Sequence, residues 1–174
     1  MTAFYILTKF LTFPGALVRV FWEQVVCRIC GVPMEDTRAL RRDEMCSHIE
    51  HELMPRSRGA FAVCFVPAFM NGLLAFLLAV GPVLGLFAFQ MTGIPGTVIN
   101  IFSYWFACSL FVNSYPSVED ALNMRDKVYH EGTVLQKIIY APGFFFLYIG
   151  AFLERWGVTF LLVVLTTVLL IVKF

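Results

Sequence analysis

The sequence predicts an all-α polytopic membrane protein, a single membrane domain over 1–174 with about five transmembrane helices and a polar, partly β cytoplasmic loop. Three observations lead there. Of the 174 residues 59% are hydrophobic and 14% charged, and the mean hydropathy of +0.78 is far from that of a domain with a water-facing surface. Sixty consecutive residues, Gly59 to Val118, contain no Asp, Glu, Lys or Arg, whereas one crossing of the hydrocarbon core needs about 20 apolar residues. Further apolar runs recur on either side of that stretch, set apart by short polar segments.

Taken in order, residues 3–27 form the first apolar segment. Pro14 and Gly15 mark a helix restart within it, since proline is tolerated in a first helical turn. Arg19 and Glu23 then share one helical face. Residues 32–57, VPMEDTRALRRDEMCSHIEHELMPRS, are rich in charge and lack a helical apolar period, which reads as a cytoplasmic loop with some strand. Spans at 60–80 and 97–115 follow, joined by the Gly/Pro-interrupted bridge GPVLGLFAFQMTGIPG and closed by Pro116. The stretch SVEDALNMRDKVY is polar with helix-like spacing and belongs at the interface, its acidic pair suiting a helix N-terminus. Apolar runs at 134–153 and 157–172, separated by Glu154 and Arg155, complete the five; the count falls to four if these two form one broken hairpin.

Short-loop Lys and Arg residues set the orientation. Arg38, Arg41, Arg42, Arg56 and Arg58 lie in the first loop and Arg125, Lys127 and Lys137 follow the third span, while the bridge has none. Both basic loops are therefore expected in the cytoplasm, with the N-terminus outside the plasma membrane and the C-terminus inside. The N-terminal segment has neither a basic lead-in nor a small-residue cleavage site, so it is expected to be retained as a span. A net charge of +1 gives no electrostatic footprint for nucleic acid, leaving membrane lipids and other membrane proteins as the expected partners.

Metal chemistry has two candidate sets. Cys27 and Cys30, with Cys46, His48 and His51, offer soft and imidazole ligands that a structural zinc would accept. No second Cys-x-x-Cys completes the frame, and the plainer reading is apolar cysteines flanking a membrane beside solvated histidines. HIEHE matches neither His-Glu-x-x-His nor His-x-x-Glu-His, and Pro55 discourages a helix through it.

Three segments together resemble the site-2-protease-like membrane metalloproteases, particularly small bacterial members. LTFPGALVRVFWEQVVCRICGVP has the frame of that family's Pro-Gly turn and zinc-binding helix. HELMPRSRGAFAVCFVPAFMNGLLAFLL resembles its next span, with Pro67 and Asn71 in the Pro and Asn positions. ACSLFVNSYPSVEDALNM is similar to the segment whose Asp, here Asp120, supplies the third zinc ligand. The likeness covers roughly residues 10 to 127. Its His-Glu-x-x-His motif is degenerate: the first His falls on Arg19, the Glu on Val20 and the second His on Glu23. A guanidinium has no lone pair for zinc, and Val20 cannot take a proton from water.

The resemblance therefore implies a non-catalytic pseudoprotease that binds a membrane partner or client helix, without cofactor. Arg19, Glu23 and Asp120 are expected to form one buried ionic cluster with the guanidinium in the place of the metal, because intramembrane charges face the bundle interior and pair. Snorkelling of Arg19 and Glu23 into interfacial water is the alternative. Two other functions remain: an active zinc-dependent intramembrane protease using His48 or His51 with Asp120, and, more weakly, a small transporter or channel subunit.

Overall fold

Thr12 divides the first apolar segment into two helices. The structure, a computed structural model, describes residues 2–36, 49–88 and 94–173, so Arg38, Arg41, Arg42, Cys46 and His48 lie outside the described residues. Helix α1 (Thr2–Leu11) ends at Thr12, and α2 (Phe13–Cys30) restarts with Pro14 in its first turn, where a missing N–H costs no hydrogen bond. Gly31, at φ 68°, closes α2 in the left-handed conformation that favours glycine. A short antiparallel pair follows, β1 (Met34–Asp36) with β2 (Glu50–His51), Met34 standing opposite His51. The polar loop is thus partly β.

Helix α3 (Ser57–Pro82) runs on into a π-helical stretch, Val83–Ala88. After it come α4 (Ile94–Val112), α5 (Val118–Arg125) with a π-helical extension Asp126–His130, α6 (Val134–Arg155) and α7 (Val158–Lys173). Among the described residues two helices, Ser57–Leu86 and Val134–Arg155, are long and apolar enough to cross a membrane; Gly96–Val112 and Val158–Lys173 are apolar but shorter. That is fewer than the five expected. The first segment is broken at Thr12, and the last has only 16 residues.

Contacts fix how the helices run. Leu11 meets Trp105, Gly15 meets Ser109 and Arg19 meets Ser114, so α2 and α4 lie side by side in the same sense. Cys30 approaches Gly59 while Gly15 meets Asn71, so α3 runs the opposite way. Helix α6 starts beside the beginning of α3, where Tyr140 stacks on Phe61 at 4.3 Å, and climbs until Glu154 reaches Lys9. Helix α7 then continues away from that level, since Thr167 bonds Tyr104 at 2.8 Å, nine positions before Asn113 on the α4 segment. The last two apolar runs form a chain bent at Gly157 rather than a hairpin. At the other end, Ser57 Oγ donates to the Lys127 carbonyl at 2.8 Å, which brings the two basic loops together.

Polarity is inverted across the bundle. Phe76, Leu77, Ile99, Phe102, Phe145 and Leu169 are each more than half exposed, whereas Lys9, Thr12, Arg19, Asn71, Ser109 and Glu154 are buried. A smaller apolar cluster including Val20, Met54, Val63, Met124 and Leu147 packs near the basic end. The close crossing of α2 and α4 depends on Gly15, where a Cβ would lie 2.1 Å from the Ser109 carbonyl oxygen.

Candidate functional site: a charge-balanced polar core

On α2 the four-residue spacing stacks Arg19 over Glu23 on one face, and the fold buries both, at 0% and 1% exposure. Arg19 Nη2 lies 2.6 Å from Glu23 Oε1, and Nη1 donates to the Ser114 carbonyl at 2.8 Å. The second Glu23 oxygen accepts from the Ile49 amide at 3.2 Å, so the segment leading into β2 rests on this carboxylate. A buried ion pair is stable only when its remaining donors and acceptors are also met. Ser114 and Ile49 each meet one of these groups, on Arg19 Nη1 and Glu23 Oε2.

Asp120 stands in the first turn of α5, whose N-cap Ser117 accepts from the Asp120 amide at 3.0 Å and donates to Oδ2 at 2.8 Å. Its other oxygen lies 3.3 Å from His51 Nε2. The His51 Nδ1–H in turn donates to the Glu52 carbonyl at 2.7 Å, so both ring nitrogens act as donors. The hydrogen bond to Asp120 pushes the His51 pKa up to about 9, against the opposing effect of burial. Arg19 and Glu23 are in direct contact. The charge of Asp120 also acts on Arg19, after those of Glu23 and Glu154.

Glu154 and Lys9 were not expected in this core. Lys9, 1% exposed, donates to Asn113 Oδ1 at 2.9 Å and pairs with Glu154, 4% exposed. Glu154 reads in the sequence as part of a polar break between two spans; in the fold it faces inward at the end of α6. The available signal was the one that singled out Arg19, an ionisable residue inside an apolar run. Three cations, Lys9, Arg19 and protonated His51, thus match three carboxylates, Glu23, Asp120 and Glu154.

Neutral groups join the pairs. Asn113 Nδ2 donates to the Thr12 carbonyl at 2.9 Å, and Ser109 Oγ donates to the same oxygen at 2.7 Å while accepting from the Gly15 amide at 2.7 Å. Asn71, singled out with Pro67 by the resemblance, donates to the carbonyls of Gly15 at 3.3 Å and Asn113 at 3.1 Å. The α1–α2 break is therefore held from α3 and α4 by side-chain hydrogen bonds.

A zinc ion does not fit at Arg19, which has no lone pair to offer. His51, held protonated against Asp120, is no better a ligand in that state. Among the described residues no three His, Cys, Asp or Glu gather as metal ligands would. Of the other expected ligands, Cys27 is buried, Cys30 is exposed with a free thiol, and Cys46 and His48 lie outside the described residues. No known protein family, curated protein or solved structure matches this chain.

Proposed function

We propose that the protein is a multi-pass membrane protein with a site-2-protease-like core that no longer catalyses and that holds a membrane partner or client helix. One observation carries this reading: a fully buried Arg19–Glu23 ion pair occupies the ligand positions of the degenerate motif, inside a bundle whose outside is apolar. In water, so many exposed Phe, Leu and Ile side chains would drive association; in lipid they are solvated, and the polar groups belong inside. A charge at the bilayer centre costs about 2.5 to 3.5 kcal/mol on insertion scales, a cost that pairing in the interior reduces.

Four crossings suit the helix directions better than five: α1 with α2, then α3, then α4, then α6 with α7. With the basic loops in the cytoplasm, α7 leads away from them. The C-terminus then lies on the outer side, in place of the inner side expected from five spans.

The second reading, an active zinc protease, draws support from the meeting of His51 and Asp120 at 3.3 Å. Elemental analysis of protein purified from membranes separates the two. The proposal expects far less than one zinc per chain, unchanged by His51→Ala, and no cleavage of membrane substrates. About one zinc per chain, lost on His51→Ala, would establish the protease instead.

A further inference from the structure

The level of the bundle where Lys9 meets Glu154 is lined by oxygen. Besides the Glu154 carboxylate it presents Asn113 Oδ1, which accepts from Lys9 at 2.9 Å. Thr159 stands on the far side of the Trp156–Gly157 turn from Glu154, and its hydroxyl is buried. Neither Glu154 Oε2 nor Thr159 Oγ1 has a hydrogen-bond partner among the described residues, although both residues are only 4% exposed. Buried oxygens without donors are rare, and here they are acceptors that the Lys9 ammonium leaves unused. The neighbouring α1–α2 break adds to the pattern, because interrupted helices are where membrane bundles build small-cation sites from side-chain and carbonyl oxygens. Lys9 on α1, Asn113 just after α4 and Glu154 on α6 meet here, and Asn113 adjoins Ser114, whose carbonyl holds Arg19.

We infer that this is a binding site for a small monovalent cation, and that the Lys9 ammonium is its resident ion, tethered to the chain. A primary ammonium suits the site: its three donors engage a carboxylate oxygen and an amide oxygen together, and it neutralises the buried Glu154. Shortening Lys9 leaves an oxygen-lined, anionic cavity that takes a free cation of the same class. Lys9→Ala removes a three-carbon ammonium arm, and n-propylammonium is that arm as a separate molecule.

The test is thermal unfolding of Lys9→Ala in detergent, titrated with n-propylammonium chloride. Sodium chloride, tetramethylammonium chloride and propanol serve as parallel arms. A ligand that binds only the folded state raises the melting temperature in a saturable way. A rise of roughly 2 to 4 °C is expected for a chain of this size. It should be absent from the native protein and from Lys9→Ala combined with Glu154→Gln. Sodium acting as well as propylammonium assigns the site to monovalent cations in general, and propylammonium acting alone assigns it to primary ammonium. If Lys9→Ala does not survive extraction, the same additives are present from solubilisation onward and the yield of monodisperse protein is read instead. Equal effects of all four additives, or no effect of any, would overturn the inference.

Discussion

Removing the buried Arg19 charge should be far more damaging than removing the whole pair. Arg19→Leu leaves the Glu23 carboxylate buried and uncompensated, at a cost of about 3 to 5 kcal/mol, and Glu23→Leu leaves the guanidinium in the same position at a similar cost. Independent effects would therefore sum to about 6 to 10 kcal/mol in the double variant. The contacts imply much less. With both charges gone, the Ser114 carbonyl and the Ile49 amide lose a partner, each at a cost of about 1 to 3 kcal/mol. Two buried leucines offset part of that through about 1.5 to 3 kcal/mol of apolar burial each. The double variant should thus lose no more than about 4 kcal/mol, giving a coupling energy of at least about 2 kcal/mol. Reversible unfolding of all four proteins in mixed micelles yields the cycle. Additivity within about 0.5 kcal/mol would refute the argument, because it would mean that Arg19 and Glu23 reach water separately and do not rely on each other.

Other outcomes follow from the same contacts. Gly15→Ala would place a Cβ 2.1 Å from the Ser109 oxygen, so it should destabilise by about 1 to 3 kcal/mol as α2 and α4 are forced apart, whereas Gly72→Ala meets nothing within 4 Å and should be neutral or stabilising by up to about 1 kcal/mol. Because the His51 pKa is raised from 6.5 to about 9, its pairing with Asp120 is fully present below pH 6.5 and is lost as pH rises through about 9. Melting curves of the native protein should accordingly fall between pH 8 and 10 relative to His51→Gln, and parallel curves would remove the ion pair from the account. Cysteine-accessibility labelling, with Cys30 replaced, should find Arg125→Cys on the inner face and both Gly96→Cys and Lys173→Cys on the outer one. Lys173→Cys labelling together with Arg125→Cys would restore the fifth crossing.

Much of the helical plan was legible because long apolar runs leave few alternatives: α3, α4 and α6 coincide with the expected spans to within a few residues. The restart at Pro14 was readable for the same local reason, a proline in a first turn. Local patterns could not reveal the sense of α7, which depends on the Tyr104–Thr167 contact between residues 63 positions apart. The pairing of Arg19 with Glu23 follows from helical spacing alone. The Lys9–Glu154 pair joins residues 145 positions apart, and Glu154 beside Arg155 looks like an ordinary polar break. His51 belonged to a stretch without periodicity, so its place beside Asp120 required the docking of β2 against α5. Gly15 was visible as punctuation, but its role as the contact point of two helices was not.

The proposal puts Arg19 and Glu23 at the metal-ligand positions that the resemblance implies, with Asp120 as the third, and restoring the ligands tests it most directly. Arg19→His, Val20→Glu and Glu23→His together rebuild His-Glu-x-x-His on α2, with two imidazoles one turn apart. Elemental analysis of the folded, monodisperse triple variant is predicted to find about one zinc per chain, retained on dialysis and lost when Asp120→Ala is added. A folded triple variant that carries no zinc, or one whose zinc is indifferent to Asp120→Ala, would contradict the claim and leave the pair as an ordinary buried salt bridge.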